Sequence, residues 1–166
     1  DDIAQQFFDI YLRNLDQGLA NRTDGRVLPG ITDLLAAVAN DSSFTIGLLT
    51  GNLKAGAESK IRHFDLESFF DIELGAYGSD HWDRNQLGPI ALKRAALVTG
   101  RRFTAEDTVV IGDTPKDINC AKAFGARCLG AGTGMFTAEQ LLEHGADHAL
   151  PTLEDTNAVI AWINQR

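Results

Sequence analysis

Two aspartates near the middle of the chain have the spacing of a metal and phosphate site. Asp113 and Asp117 belong to the segment Val109-Val-Ile-Gly-Asp-Thr-Pro-Lys-Asp117. The run Thr108 to Ile111 is β-branched and apolar, as expected of a buried strand in a parallel sheet, and Pro115 suits the first turn of a helix. The sequence therefore predicts both carboxylates at the carboxyl end of a strand, where open α/β sheets bind ligands. Such oxygens are the ligands that Mg2+ prefers.

A second predicted strand-to-helix turn carries a hydroxyl and a glycine. The apolar run Phe44 to Leu49 leads into Thr50, Gly51 and Asn52, and a helix follows at once. Thr50 offers a hydroxyl, Gly51 permits close backbone approach, and free N–H groups at the helix start attract an anion. Because parallel strands end along one edge, we expect this turn and the Asp113 turn to face the same crevice.

Both turns also have a purely structural explanation. Asp113 can cap the helix that follows it, and Asp117 can complement the dipole of that helix. Thr50 and Gly51 can likewise be a hydroxyl cap and a turn glycine. The pairing of the two turns at one sheet edge favours the chemical interpretation.

A phosphate held beside carboxylates also needs a basic side chain. Arg84 lies on a predicted loop just before a helix, whereas Lys93 falls well inside that helix. We therefore predict that Arg84 binds phosphate and that Lys93 and Arg94 are solvated helix residues. The competing interpretation is that Arg84 is a surface charge paired with Asp80 or Asp83.

Helices and apolar strands alternate along the chain, which predicts an α/β fold with a parallel sheet covered by helices on both faces. A leading helix precedes the polar stretch 21–26, where we predict a linker. The predicted strands are Phe44–Leu49, one within Phe70–Tyr77, Thr108–Ile111, Arg127–Leu129 and His148–Leu150. The predicted helices that follow the linker are Ile31–Ala39, Leu53–Phe64, Pro89–Val98, Pro115–Phe124, Ala138–His144 and Glu154–Ile163.

Composition limits the partners. The 166 residues, 44% of them apolar, suffice for one core. A formal charge of −8, from 23 acidic and 15 basic residues, argues against nucleic acid or an anionic membrane as partner. We expect a cytoplasmic protein, because no apolar run is long enough to span a membrane and the first residues do not form a signal peptide. Cys120 and Cys128 are expected to be small buried hydrophobes.

The motifs together resemble a known family. Thr50 after an apolar strand, a basic residue before a helix, and Gly112-Asp-Thr-Pro-Lys-Asp117 after a later strand resemble motifs II, III and IV of the haloacid dehalogenase superfamily of hydrolases. The phosphoglycolate phosphatase-like branch is the most similar. The resemblance implies a three-layer, Rossmann-like parallel sheet over residues 27–166, and the remnant of a helical cap with its linker over residues 1–26.

The resemblance also implies site residues and a cofactor, Mg2+. Asp113 corresponds to a direct magnesium ligand, and Asp117 to a residue that supports the metal directly or through water. Thr50 and the backbone of Gly51 and Asn52 correspond to the phosphoryl-binding groups. Arg84 lies where the family has the lysine of motif III, although the usual Lys-Pro is not found there.

The family's first motif is the main departure. Its nucleophile is the first aspartate of Asp-x-Asp at the end of an apolar strand, and these 166 residues contain no such segment. We therefore expect an absent N-terminal part to supply the nucleophile and a central strand, and these residues alone to be inactive. The resemblance implies a magnesium-dependent phosphatase that hydrolyses a small phosphorylated metabolite through an aspartyl-phosphate. The alternatives are a phosphosugar mutase, a non-catalytic phosphate-binding or regulatory domain and, less favoured, a 2-haloacid dehalogenase.

Overall fold

The structure is a computed structural model that describes residues 2–21 and 25–165. Within these residues seven α-helices alternate with five short strands, which confirms the α/β class. The central three residues of the predicted linker, 22–24, lie outside the described part. The helices are α1 (Asp2–Asn21), α2 (Ile31–Ala39), α3 (Lys54–His63), α4 (Leu87–Thr99), α5 (Pro115–Phe124), α6 (Ala138–Glu143) and α7 (Thr156–Ile163), and the strands are β1 (Leu49–Thr50), β2 (Ala76–Tyr77), β3 (Val109–Gly112), β4 (Arg127–Ala131) and β5 (His148–Leu150).

All strand pairs are parallel, and they fall into two sheets. β1 pairs with β2, with Leu49 opposite Ala76. The second sheet has the order β3-β4-β5, with Ile111 opposite Leu129 and Leu129 opposite His148. The helical connections between parallel strands confirm the Rossmann-like arrangement.

Helices cover both faces of the larger sheet, so the three-layer prediction is also confirmed. α5 and α6 pack on one face, and α2 and α7 pack on the other. Each large aliphatic side chain buried in this way contributes about 1.5–3 kcal/mol. The buried residues of the first face are Val110, Ile118, Ala121, Cys128 and Leu141, among others, and those of the second are Leu34, Leu129, Ala131, Leu153 and Val159.

The strand predicted over Phe44–Leu49 is wrong over most of its length. Only Leu49 and Thr50 pair with β2, and residues 44–48 have no regular secondary structure. A strand needs a neighbour to form ladder hydrogen bonds. Instead, two short 3-10 turns, Glu67–Phe69 and Ile72–Leu74, occupy most of the stretch that precedes β2. Most residues of this run are partly buried, but β2 is too short to pair with more than Leu49 and Thr50.

The two sheets approach each other through β1 and β3. Leu49 of β1 packs against the core cluster that includes Val110 of β3, yet no ladder joins the two strands. Ile111 of β3 is apolar and nevertheless 39% exposed. Within the described residues, β1 and β3 therefore each have one edge that pairs with no other strand.

α1 packs against the α/β core through α3. A side chain at Gly56 of α3 would contact Tyr11 and Leu15 of α1 at 3.2–3.4 Å, so the glycine permits a close approach of the two helices. The division at residue 26 into cap and core stays a prediction. No helix within the described residues has the length and apolar character needed to cross a lipid bilayer.

Candidate active site at the carboxyl edge of the strands

Asp117 is buried in the first turn of α5, as the sequence predicts, and its carboxylate folds back on the start of the helix. Its Oδ2 accepts hydrogen bonds from the backbone N of Thr114 at 3.0 Å and from the Thr114 hydroxyl at 2.7 Å. Such a contact stabilises a helix start by satisfying a free N–H group. Gly112 makes room for it, because a Cβ at that position would collide with the Asp117 side chain. The structural interpretation, in which Asp117 stabilises the start of the helix, is therefore correct for this residue.

Arg84 reaches the same carboxylate from the other sheet. It begins the 3-10 turn Arg84–Gln86 that leads into α4, and its Nη2 donates to Asp117 Oδ1 and lies 3.5 Å from the carbonyl oxygen of Leu49. The buried Nε of Arg84 has no acceptor within the described residues. Cys120 donates from Sγ to the Arg84 carbonyl oxygen at 3.1 Å and so fixes the backbone of the turn. Arg84 is thus half-buried and paired with Asp117 rather than a solvated surface charge.

The surface ion pair considered for Arg84 is not formed. Asp80 instead binds Arg94, with both carboxylate oxygens 2.6 Å from guanidinium nitrogens. Asp83 accepts a hydrogen bond from the backbone N of Asn85 at 3.0 Å and caps the 3-10 turn. Lys93 is exposed, as predicted.

The prediction that Arg94 is solvated is wrong. Besides Asp80, its guanidinium donates to the Gly75 carbonyl oxygen at 2.8 Å. The hydrogen bonds from Arg94 lower the pKa of the Asp80 carboxyl, and Asp80 also accepts from the backbone N of Tyr77. The clamp formed by Asp80 and Arg94 fixes the loop between β2 and Arg84. The sequence does not indicate this ion pair, because its two residues lie 14 positions apart.

Hydrogen bonds hold the turn at Thr50 in place. Thr50 Oγ1 accepts from the backbone N of Asn52 at 3.1 Å and from Asn52 Nδ2 at 2.8 Å, and Lys60 donates from Nζ to Asn52 Oδ1 at 2.9 Å. Gly51 is exposed, with open space around its Cα. Gly78 donates from its N to the Asn52 carbonyl oxygen at 2.8 Å. Sequence reasoning missed Lys60 and Gly78.

Asp113 follows β3 directly, as predicted, and faces a loop that the sequence analysis did not include. No hydrogen bond or ion pair engages its carboxylate within the described part of the chain, unlike that of Asp117. A Cβ at Gly134, in the loop after β4, would collide with Asp113 Oδ2. The glycines of Gly132-Thr-Gly134 after an apolar strand were the signal that could have indicated this approach.

The structure brings some of the predicted site residues into contact and places Thr50 at the end of β1. Arg84 contacts Asp117 directly and approaches the residue before Thr50, while Asp113 precedes the threonine that caps α5. Within the described residues, no group of three or more His, Cys, Asp or Glu side chains could hold a metal. A Mg2+ site at Asp113 would therefore need anionic ligands from beyond the described residues.

The cysteines are buried and free, as predicted. Burial raises the pKa of the Cys128 thiol to about 12, and it also raises the pKa of Cys120. Thiols in this state are poor nucleophiles, because the thiolate is the reactive form. Neither cysteine therefore competes with the carboxylates for the chemistry of this edge.

Comparison with known proteins shows the family of the chain. The chain belongs to the haloacid dehalogenase-like hydrolases, whose family model matches residues 2–131. A curated relative from Dickeya dadantii (strain 3937), "Probable phosphatase IndB", is 30% identical over 118 residues, which cover 70% of this chain and 48% of the relative. The chain therefore spans about half the length of the curated relative it matches.

Solved structures support the same fold. A HAD hydrolase of family IA, variant 3, from Entamoeba histolytica HM-1:IMSS has a TM-score of 0.67 at 20% identity and covers 99% of this chain and 70% of its own. A mutant of CbbY from Rhodobacter sphaeroides, in complex with xylulose 1,5-bisphosphate, has a TM-score of 0.65 at 22% identity. The match covers 89% of this chain and 64% of the CbbY chain. The relatives are thus phosphatase-like and sugar-phosphate-binding proteins of one architecture.

Proposed function

We propose that this chain is the core of a magnesium-dependent phosphatase that hydrolyses a small phosphorylated metabolite. The position of Arg84 is the main observation behind the proposal. The charge of Arg84 is held beside the start of α5 by Asp117, and its buried Nε has no acceptor in the part of the chain that the structure describes. A buried donor without a partner costs about 1–3 kcal/mol, so an anionic oxygen is the natural partner for this group.

The nucleophile is proposed to come from a strand encoded before residue 1. Among the described residues, β1 and β3 each have an edge without a partner strand, and one parallel strand between them would pair with both. Such a strand would end at the same edge as its neighbours, beside Arg84 and Asp113. An aspartate there would attack phosphorus, and the ester P–O bond would break as the leaving alkoxide gains a proton. Water would then hydrolyse the aspartyl-phosphate to inorganic phosphate.

The residues of this chain have distinct proposed roles. The Thr50 hydroxyl and the N–H group of Gly51 bind phosphoryl oxygens, and Arg84 neutralises their charge. The backbone N–H of Asn52, also predicted for this role, already donates to Thr50 Oγ1 and supports the turn instead. Asp113, whose carboxylate is free, would hold Mg2+ together with the aspartate of the added strand. When bound, the metal stabilises the charge of the transferring phosphoryl group.

Asp117 fits the indirect of its two predicted roles. Both of its oxygens already bind protein donors, namely Arg84 and Thr114. A direct bond to the metal would compete with the ion pair that positions Arg84. We therefore propose that Asp117 acts on the metal only through water or through its neighbours.

Similarity and composition support the substrate class and the compartment. A relative bound to xylulose 1,5-bisphosphate supports a phosphorylated sugar or a comparably small metabolite. The excess of acidic residues disfavours a nucleic acid. Two free, buried cysteines fit a reducing compartment, and we place the reaction in the cytoplasm.

The experiment is phosphate release by a longer chain that includes the residues encoded before Asp1. The purified protein is incubated with a panel of sugar phosphates and other small phosphomonoesters, with Mg2+ or with EDTA. Magnesium-dependent release of inorganic phosphate from at least one of them is expected. Isomerised sugar phosphate without release would establish a mutase, and phosphate binding without any reaction would favour a non-catalytic phosphate-binding domain.

A further inference from the structure

A lysine, an amide and a hydroxyl form a chain of hydrogen bonds at the Thr50 turn. Lys60 lies on α3 and donates from Nζ to Asn52 Oδ1 at 2.9 Å. Asn52 in turn donates from Nδ2 to Thr50 Oγ1 at 2.8 Å. The resemblance and the sequence motifs assign no role to Lys60, which is half-buried.

Lys60 fixes which end of the Asn52 amide faces the hydroxyl. An ammonium group has only donors, so the amide atom that faces it must be the oxygen. The amide NH2 group then faces Thr50 Oγ1. This orientation follows from the donor and acceptor chemistry of the two partners.

The orientation of Asn52 in turn sets the direction of the Thr50 hydroxyl proton. A hydroxyl oxygen has two acceptor lone pairs and one donor proton. The backbone N and Nδ2 of Asn52 donate to this oxygen at 3.1 and 2.8 Å, so both lone pairs are occupied. The proton must therefore point away from Asn52, and it is free to donate to another acceptor.

The opposite amide orientation would reverse this polarity. If Asn52 turned its oxygen toward Thr50, the hydroxyl would donate to that oxygen and its proton would no longer be available. Lys60 prevents the reversal, because a flipped amide would place two donor groups against each other. Removing the charge at residue 60 removes the penalty.

We infer that Lys60 is a positioning residue that, through Asn52, keeps the Thr50 hydroxyl oriented as a hydrogen-bond donor to a phosphoryl oxygen. The inference rests on the proposed function only in its choice of acceptor. Lys60 does not touch the substrate in this account; it acts through Asn52.

The test uses the longer chain and compares Lys60→Met, which removes the charge at similar length, with Lys60→Arg, which keeps a cationic donor. Two quantities are measured, namely kcat/KM for p-nitrophenyl phosphate and the Kd of inorganic phosphate by calorimetry. Lys60→Met should lower kcat/KM and weaken phosphate binding about tenfold, as for one misoriented donor. Lys60→Arg should stay within about threefold of the parent. Lys93→Met, at an exposed lysine, is the matched control and should resemble the parent.

A double-mutant cycle distinguishes positioning from direct contact. In an Asn52→Ala background, Lys60→Met should have less than about a twofold effect, because Lys60 then has nothing to orient. Independent, additive effects would show that Lys60 binds phosphate itself and would overturn the inference. The unfolding midpoint of Lys60→Met should remain within about 2 °C of the parent, and a loss of activity that only parallels a loss of stability would also overturn it.

The two measurements separate this inference from the proposed function. An active parent with an unchanged Lys60→Met variant refutes the role of Lys60 and leaves the phosphatase in place. A parent that binds phosphate without turnover refutes the phosphatase, and the phosphate Kd then decides the role of Lys60. A parent that neither binds nor hydrolyses refutes both.

Discussion

Arg84 and Asp117 lie 33 residues apart in the sequence and form an ion pair that joins the two sheets at their carboxyl edge. Arg84 belongs to the turn that follows β2, and Asp117 to the first turn of α5, which follows β3. Asp117 therefore both stabilises a helix start and holds a cation in the crevice. A buried carboxylate holds its arginine partner in position better than an exposed carboxylate does, because fewer other contacts compete for the guanidinium group.

The first prediction separates Arg84 from Lys93. In the longer chain, Arg84→Ala should lower kcat/KM by about a hundredfold, on the order of the loss of one contact to the transition state. Lys93→Ala should change it little, because Lys93 is exposed on α4. Steady-state kinetics with p-nitrophenyl phosphate checks both. If Lys93→Ala were the impaired variant, the base of motif III would be Lys93.

The second prediction concerns magnesium. Asp113→Asn should weaken Mg2+ binding strongly, because the substitution removes a full charge from a ligand oxygen. It should leave the unfolding midpoint nearly unchanged, since no hydrogen bond or ion pair engages the carboxylate within the described residues. Calorimetry measures the binding and differential scanning calorimetry the midpoint. Equal magnesium affinity in the parent and in Asp113→Asn would place the metal site elsewhere.

The third prediction follows from the clamp between Asp80 and Arg94. Asp80→Asn should lower the free energy of unfolding by about 1–3 kcal/mol at neutral pH, because a half-buried guanidinium loses its anionic partner. Glu58→Gln is the control, since Glu58 pairs with Arg62 on the exposed surface of α3, and it should cost less than about 0.5 kcal/mol.

The pH dependence of the Asp80 effect has a definite sign. The pKa of Asp80 is lowered in the folded protein from its ordinary value of 3.8, so its ionised form stabilises the fold above that value. The stabilisation should be lost as the pH falls through the lowered pKa. Urea unfolding of the parent and of Asp80→Asn across this range should show the two stabilities converging in acid. A constant difference would mean that charge is not what Asp80 contributes.

The fourth prediction concerns the contact between two loops of the site. A Cβ at Gly78 would collide with the Gly51 carbonyl oxygen, so Gly78→Ala should displace the Thr50 turn and cost about 1–3 kcal/mol in stability. Gly18→Ala, in α1 with open space around it, is the control and should be neutral or stabilising by up to about 1 kcal/mol. Thermal unfolding distinguishes the two variants. An unperturbed Gly78→Ala would show that the loops are not in close contact.

The fold could be predicted from the sequence where local signals and topology agree. Pro115 and the apolar run before it located β3 and α5 to within a residue, because each has its own turn or cap chemistry. The run Phe44–Leu49 was misassigned, since apolar character cannot tell a paired strand from a packed, irregular segment. β4 extends beyond its predicted end at Leu129 because Gly130 fits beneath Leu141, a contact that the sequence does not display.

The site was predictable at its turns and not in its supporting contacts. Thr50 ends β1, Asp113 directly follows β3 and Asp117 lies in the first turn of α5, and positions at strand ends are typical of a ligand-binding edge. The partners that hold the turns, Lys60 and Arg94, sit on helices and look like ordinary solvated charges. Their roles depend on distances across the fold, which a pattern of residue types does not encode.

The most direct test of the proposed function is magnesium-dependent hydrolysis of p-nitrophenyl phosphate by two proteins, residues 1–166 alone and the longer chain with its upstream residues. The proposed function predicts no turnover by residues 1–166, because Arg84, Thr50 and Asp113 cannot replace a nucleophile. It also predicts turnover by the longer chain, and loss of that turnover when an upstream aspartate is changed to asparagine. Robust turnover by residues 1–166 alone would contradict it and would place the nucleophile within these residues.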